Sequence, residues 1–183
     1  MALTPRLRKL ALAAHVTSSV GWFGAVAVFL ALALAGLTSK DGAMVRAAYL
    51  VMGLTGWFVI VPLCFASLLT GIALSLGTSW GLFRYYWVLA KLLMTVPATL
   101  VLLAHMQPID RMASVAESAS LSGADLHGLR IQLVVQAAAA LVVLLVATVL
   151  SVYKPKGMTR YGWRRQNEQR TASAAGLVEV TSA

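Results

Sequence analysis

Between Leu10 and Ser39 the chain carries no Lys, Arg, Asp or Glu, and residues 10–37 are almost all apolar. A membrane-crossing helix needs about 20 apolar residues at about 1.5 Å per residue, so this stretch is long enough to span with some tilt. A second uncharged stretch covers 47–83 with Pro62 inside it. Gly77-Thr78-Ser79 then supplies a helix stop followed by a cap for the next element, which places the second span at about 47–76. The third span is expected over about 82–106, ended by Pro108, and the fourth over about 131–153, ended by Lys154-Pro155. No period-2 alternation points to a membrane barrel. The pattern predicts an all-α fold, a four-helix transmembrane bundle over 1–153 with a basic tail over 154–183.

Composition strengthens this reading. Hydrophobic residues make up 60% of the chain and charged residues 11%, with a mean hydropathy of +0.81. Soluble domains hold about 45–50% apolar and about 25% charged residues. The basic start and Ala33-Leu34-Ala35 resemble signal-peptide features, yet the apolar run far exceeds the about 7–15 residues of a signal core. An uncleaved first helix is expected.

The net charge of +9 raises nucleic-acid binding, but the charge is in the wrong places for it. Arg6, Arg8 and Lys9 precede the first span; Lys154, Lys156, Arg160, Arg164, Arg165 and Arg170 follow the last. Such clusters orient spans and meet anionic lipid headgroups, whereas DNA readers present a basic face on a soluble unit. With Arg84 and Lys91 added, eleven basic residues fall on one side, against Lys40, Arg46, Arg111 and Arg130 on the other. Both termini are therefore expected in the cytoplasm. Trp80, Phe83, Tyr85, Tyr86 and Trp87, with Tyr153, Tyr161 and Trp163, mark the same interface.

The longest connection, 107–130, is expected to be partly helical. Pro108 suits the first position of a short helix, and Ser122-Gly123-Ala124-Asp125 resembles a capping box that starts the fourth helix before the membrane. Beyond Arg170 the sequence reads as a mobile, disordered tail. Thr17, Gly21 and Ala25, then Ser67, Gly71 and Ser75, then Ala137–Ala140 offer small-residue seams for close packing. Pro62 and Pro97 predict kinks, with freed carbonyls met by neighbours such as Thr95 or Thr99. Trp22 and Trp57, near mid-depth by residue count, are expected to pack in the core.

Polar groups inside hydrocarbon are costly and so are candidates for function. His15, Ser18, Ser19 and Trp22 share one helical face, and Lys91 and Thr70 lie at a similar depth. Together they predict an intramembrane polar cluster able to serve an anion, a headgroup or a proton. The alternative is that Lys91 snorkels to the interface while His15 bonds a neighbouring helix. His105 and His127 are candidate metal ligands at the opposite end, near Met106, Met112, Asp110 and Asp125. Imidazole with thioether suits copper and imidazole with carboxylate suits zinc, but no fixed ligand spacing is present. Haem between His15 and His105 is disfavoured because their depths differ by roughly 20 Å, whereas His105 and His127 match in depth, at the membrane edge. Gln132 and Gln136 share a face, as a polar path or as a tie between helices. The single cysteine, Cys64, excludes an internal disulfide and reads as a small hydrophobe. No Asp or Glu lies within a span, and no nucleophile–base pair, phosphate loop or metalloprotease motif is present.

Three segments carry a resemblance: His15-Val16-Thr17-Ser18-Ser19-Val20-Gly21-Trp22; Leu76-Gly77-Thr78-Ser79-Trp80-Gly81-Leu82-Phe83-Arg84-Tyr85-Tyr86-Trp87; and Tyr153-Lys154-Pro155-Lys156-Gly157-Met158-Thr159-Arg160-Tyr161-Gly162-Trp163. Together they resemble a family of small bacterial four-helix integral membrane proteins of unknown function, over most of residues 4–170. That resemblance implies a bacterial plasma-membrane location and no particular activity. The first helix, with His15 before Gly21-Trp22, is also similar to copper-resistance D-type membrane proteins, which implies copper. The expectation is a non-enzymatic structural, accessory or partner-binding membrane subunit, alone, as a homo-oligomer or with another membrane protein. The alternatives are a metal- or haem-binding membrane protein and a small transporter subunit.

Overall fold

The computed structural model describes residues 4–77, 82–117, 124–153 and 157–181. Four helices are long and apolar enough to cross a membrane: α1 (Pro5–Thr38), α2 (Gly42–Gly77), α3 (Tyr86–Glu117) and α4 (Ala124–Tyr153). A fifth, α5 (Arg160–Thr181), follows. Among the described residues no strand forms; Tyr85 and Met158 make one isolated bridge.

The spanning helices alternate in direction and pack in a square. Each touches its two sequence neighbours, and α1 also packs on α4, which closes the ring. The starts of α1 and α3 and the ends of α2 and α4 lie at one end of the bundle, here the terminal end. The ends of α1 and α3 and the starts of α2 and α4 lie at the other, the distal end.

Each start and stop has a local cause. Pro5 opens α1 at a position where its missing N–H costs nothing, and the Thr4 hydroxyl accepts from Leu7 N–H. Asp41 caps α2 by accepting from Ala43 N–H at 2.9 Å. Within α2, residues Gly56–Ile60 form one wide π turn, closed by Val61 N–H donating to Gly56 C=O. Pro62 follows at once. Its missing donor and bulky ring disturb a regular ladder, and the wider turn absorbs the mismatch that the sequence predicts as a kink.

Pro108 does not end the third span, as expected, nor does it open a separate short helix. The helix runs through it to Glu117. Proline removes one backbone bond, but Met106, Ile109 and Met112 lie on one face and are all buried, so packing against α2 holds the turns on either side. Thr95 and Thr99 donate to Lys91 and Thr95 carbonyls at 2.8 Å each, rather than to the Leu93 carbonyl that Pro97 leaves without its usual donor. The fourth helix begins at Ala124, before its apolar run, as predicted; Ser122 and Gly123 of the proposed cap lie outside the described residues, as do Thr78 and Ser79. α5 continues to Thr181, past Arg170, where the sequence suggests a disordered tail. Ala172, Ala174 and Ala175 favour helix strongly, and the helix is already nucleated by its anchored start at Thr159.

The core tightens toward the distal end. Ala33, Val45, Ala48, Tyr49, Met52, Met106, Ile109, Met112 and Leu133 are nearly inaccessible there. α1 and α2 are about 51 and 54 Å long at about 1.5 Å per residue, well beyond a hydrocarbon core of about 30 Å. Lipid surroundings are as apolar as the core, which suits the exposure of large apolar side chains all along the bundle, among them Leu54, Leu69, Leu93, Leu100, Val135 and Val142. Trp22 is buried in the core as expected, but Trp57 is exposed and donates to Asp110 Oδ1 at 2.9 Å. The Asp110 carboxylate satisfies the indole N–H at the surface of the bundle.

Gly36 is the tightest contact of this distal core. A Cβ there would lie 2.7 Å from Tyr49 Cζ, and Tyr49 is only 1% exposed, with no room to withdraw. Gly36→Ala is expected to cost about 1–3 kcal/mol of unfolding free energy. Gly24→Ala, with nothing within 4 Å of the new methyl, is expected to be neutral or slightly stabilising. Denaturation of both variants in detergent measures the difference; equal stability would remove the role given to the Gly36–Tyr49 contact.

Candidate functional site

The polar residues of the terminal half meet between α1 and α2. His15 Nδ1 lies 3.0 Å from Ser67 C=O and 3.1 Å from Thr70 Oγ1. The Thr70 hydroxyl donates its own proton to Ala66 C=O at 2.6 Å, so toward His15 it can only accept. Both partners of Nδ1 are then acceptors, which fixes a proton on that nitrogen whether the ring is neutral or cationic. Nε2 has no hydrogen bond among the described residues. One turn on, Ser19 Oγ and Ser67 Oγ are 2.7 Å apart. Ser18 is buried and turns its hydroxyl back to His15 C=O at 3.1 Å.

Gly71 makes this geometry possible. A Cβ at Gly71 would stand 3.0 Å from His15 Cε1 and 3.5 Å from Nδ1. The small-residue seam Ser67–Gly71–Ser75 is therefore also the wall of the histidine site.

Lys91 lies elsewhere in the network. Its ammonium donates to Ser151 Oγ at 2.6 Å, and Ser151 passes its proton to Ala147 C=O at 2.8 Å. The expected cluster is thus two ties. His15, Ser19 and Thr70 join through Ser67 between α1 and α2, and Lys91 joins α3 to α4. Sequence reading placed Ser67 only in a packing seam and missed Ser151. Ser67 sits three residues before Thr70 and one turn before Gly71, which was the available signal; nothing near Ser151 distinguishes it.

A third tie joins α2 to α3. Thr99 donates to Thr95 C=O, so the Cys64 thiol donates to Thr99 Oγ1 at 3.2 Å, and both residues are buried. Cys64 is more than the small hydrophobe its sequence context suggests. At the distal end the Arg130 guanidinium stands 5.7 Å from the centre of the Tyr49 ring, a cation–π contact between α4 and α2. Gln132 is exposed, while Gln136 Oε1 is buried with no partner among the described residues.

His105 is half-buried and hydrogen-bonded through Nδ1 to Val101 C=O on its own helix. His127 is exposed on the first turns of α4. Among the described residues no group of three or more His, Cys, Asp or Glu side chains gathers where it can hold a metal ion. Of the side chains near His105 and His127, the thioethers of Met106 and Met112 are packed in the core, and Asp110 accepts from the Trp57 indole.

No family model, curated protein or solved structure matches the chain.

The histidine site yields a coupling test. His15→Ala and Gly71→Ala each break the same contact, and the second methyl fits once the ring is gone. The double variant is expected to lose about 0.5–1.5 kcal/mol less than the two single losses combined. Denaturation in detergent measures it. Strict additivity would mean that His15 does not rest on Gly71.

Proposed function

We propose that this chain is a non-enzymatic bacterial plasma-membrane protein that crosses the bilayer four times with both termini in the cytoplasm. Its role is that of a structural or accessory subunit that binds another membrane protein or a second copy of itself. The observation that carries this reading is the use of the intramembrane polar groups. His15, Ser19, Ser67 and Thr70 tie α1 to α2; Cys64 and Thr99 tie α2 to α3; Lys91 and Ser151 tie α3 to α4. These groups are committed to holding one helix to the next, as a rigid lipid-embedded scaffold requires. The charge distribution supports the orientation, with eleven basic residues at the terminal side against four at the distal side.

Topology reporters fused after Lys40 and after Ser120 are expected to read extracytoplasmic, and those after Ser79 and Arg170 cytoplasmic. An inverted pattern overturns the orientation. Purified protein in mild detergent is expected to be colourless, free of stoichiometric copper and larger than one chain with its micelle by light scattering. A Soret band or one copper per chain would instead favour the cofactor-binding alternative, and a strict monomer would remove self-association and leave only a different membrane protein as partner.

A further inference from the structure

The start of α5 is built onto the first turn of α3. Tyr86 N–H donates to Gly157 C=O at 3.2 Å and Thr159 N–H to Arg84 C=O at 3.0 Å. The Thr159 hydroxyl donates to Phe83 C=O and accepts Gly162 N–H at 3.1 Å, capping α5 as it anchors it. Gly162 lies against Arg84, where a Cβ would come within 2.5 Å of the Arg84 carbonyl oxygen. The close approach allows only hydrogen at that position.

This anchoring fixes what the rest of the helix presents. At about 100° per residue, Arg160, Trp163, Arg164 and Asn167 fall on one stripe, roughly opposite the Gly162 face. With Met158 and Thr159 they line an open cleft of about 360 Å³. Between residues 154 and 170 there are six basic residues and a single acidic one, Glu168. Of the aromatic residues near the ends of α3, α4 and α5, Phe83, Tyr86, Tyr153, Tyr161 and Trp163 are all more than half exposed, and Trp163 lines the cleft. The cleft floor is hydrogen-bonded to residues 83–86, where a spanning helix begins. Its depth is therefore that of lipid headgroups.

We propose that the cleft formed by Met158, Thr159, Arg160, Trp163, Arg164 and Asn167 is a binding site for the phosphodiester of an anionic phospholipid. Two guanidinium groups one turn apart offer paired donors to phosphate oxygens, and the Asn167 amide adds a further donor. Trp163, 62% exposed, adds an amphipathic ring of the kind that favours the headgroup level. Charge complementarity and the aromatic surround favour lipid over an acidic protein, which would not need an apolar rim. The site rests on the chain being lipid-embedded, but not on which side its termini face.

Native mass spectrometry of the full chain in detergent, with added phosphatidylglycerol or phosphatidylcholine, tests the site. The unaltered chain is expected to retain phosphatidylglycerol over phosphatidylcholine. R160Q/R164Q is expected to lose that preference by about thirtyfold, on the scale of two headgroup-level basic residues, while R6Q/R8Q keeps it. Equal retention by R160Q/R164Q and R6Q/R8Q overturns the site. A failure of the membrane reading itself shows separately, as a chain that stays monomeric in buffer without detergent.

Discussion

A backbone amide in hydrocarbon has no water to bond, so every long apolar stretch of this chain must satisfy its amides within itself. Helices do this, and the four spans follow from that one constraint. It also explains how Pro62 is handled. The wide turn at Gly56–Ile60 keeps donors and acceptors paired where a regular ladder fails. Sequestration from water does little to hold helices together inside lipid, so specific contacts between neighbours carry more of the association.

Those contacts change character along the bundle. In the terminal half, hydroxyls, a thiol, an imidazole and an ammonium link successive helices, and small residues set the approach, as Gly71 does under His15. In the distal half, Tyr49, Met52, Met106 and Met112 interlock as in a water-soluble core.

Much of the architecture was legible in the sequence because charge-free length is a strong signal. The ends of the spans were less so. Proline is read as a stop because its local cost is visible, but at Pro108 a buried face of Met106, Ile109 and Met112 outweighs that cost, and only tertiary packing reveals it. In the candidate site, His15, Ser19 and Thr70 do meet, since helical spacing and shared depth are physical constraints. Ser67 and Ser151, which complete the ties, look like ordinary small residues. The docking of α5 through Thr159 and Gly162 depends on contacts 75 residues or more away along the chain, beyond any local pattern.

The claim beneath all of this is that lipid is the solvent of α1–α4. Membranes carrying the chain, washed in alkaline carbonate and then floated on a density gradient, test it directly. The account predicts that the chain stays with the floating lipid. Release into the aqueous supernatant as dispersed protein would contradict it.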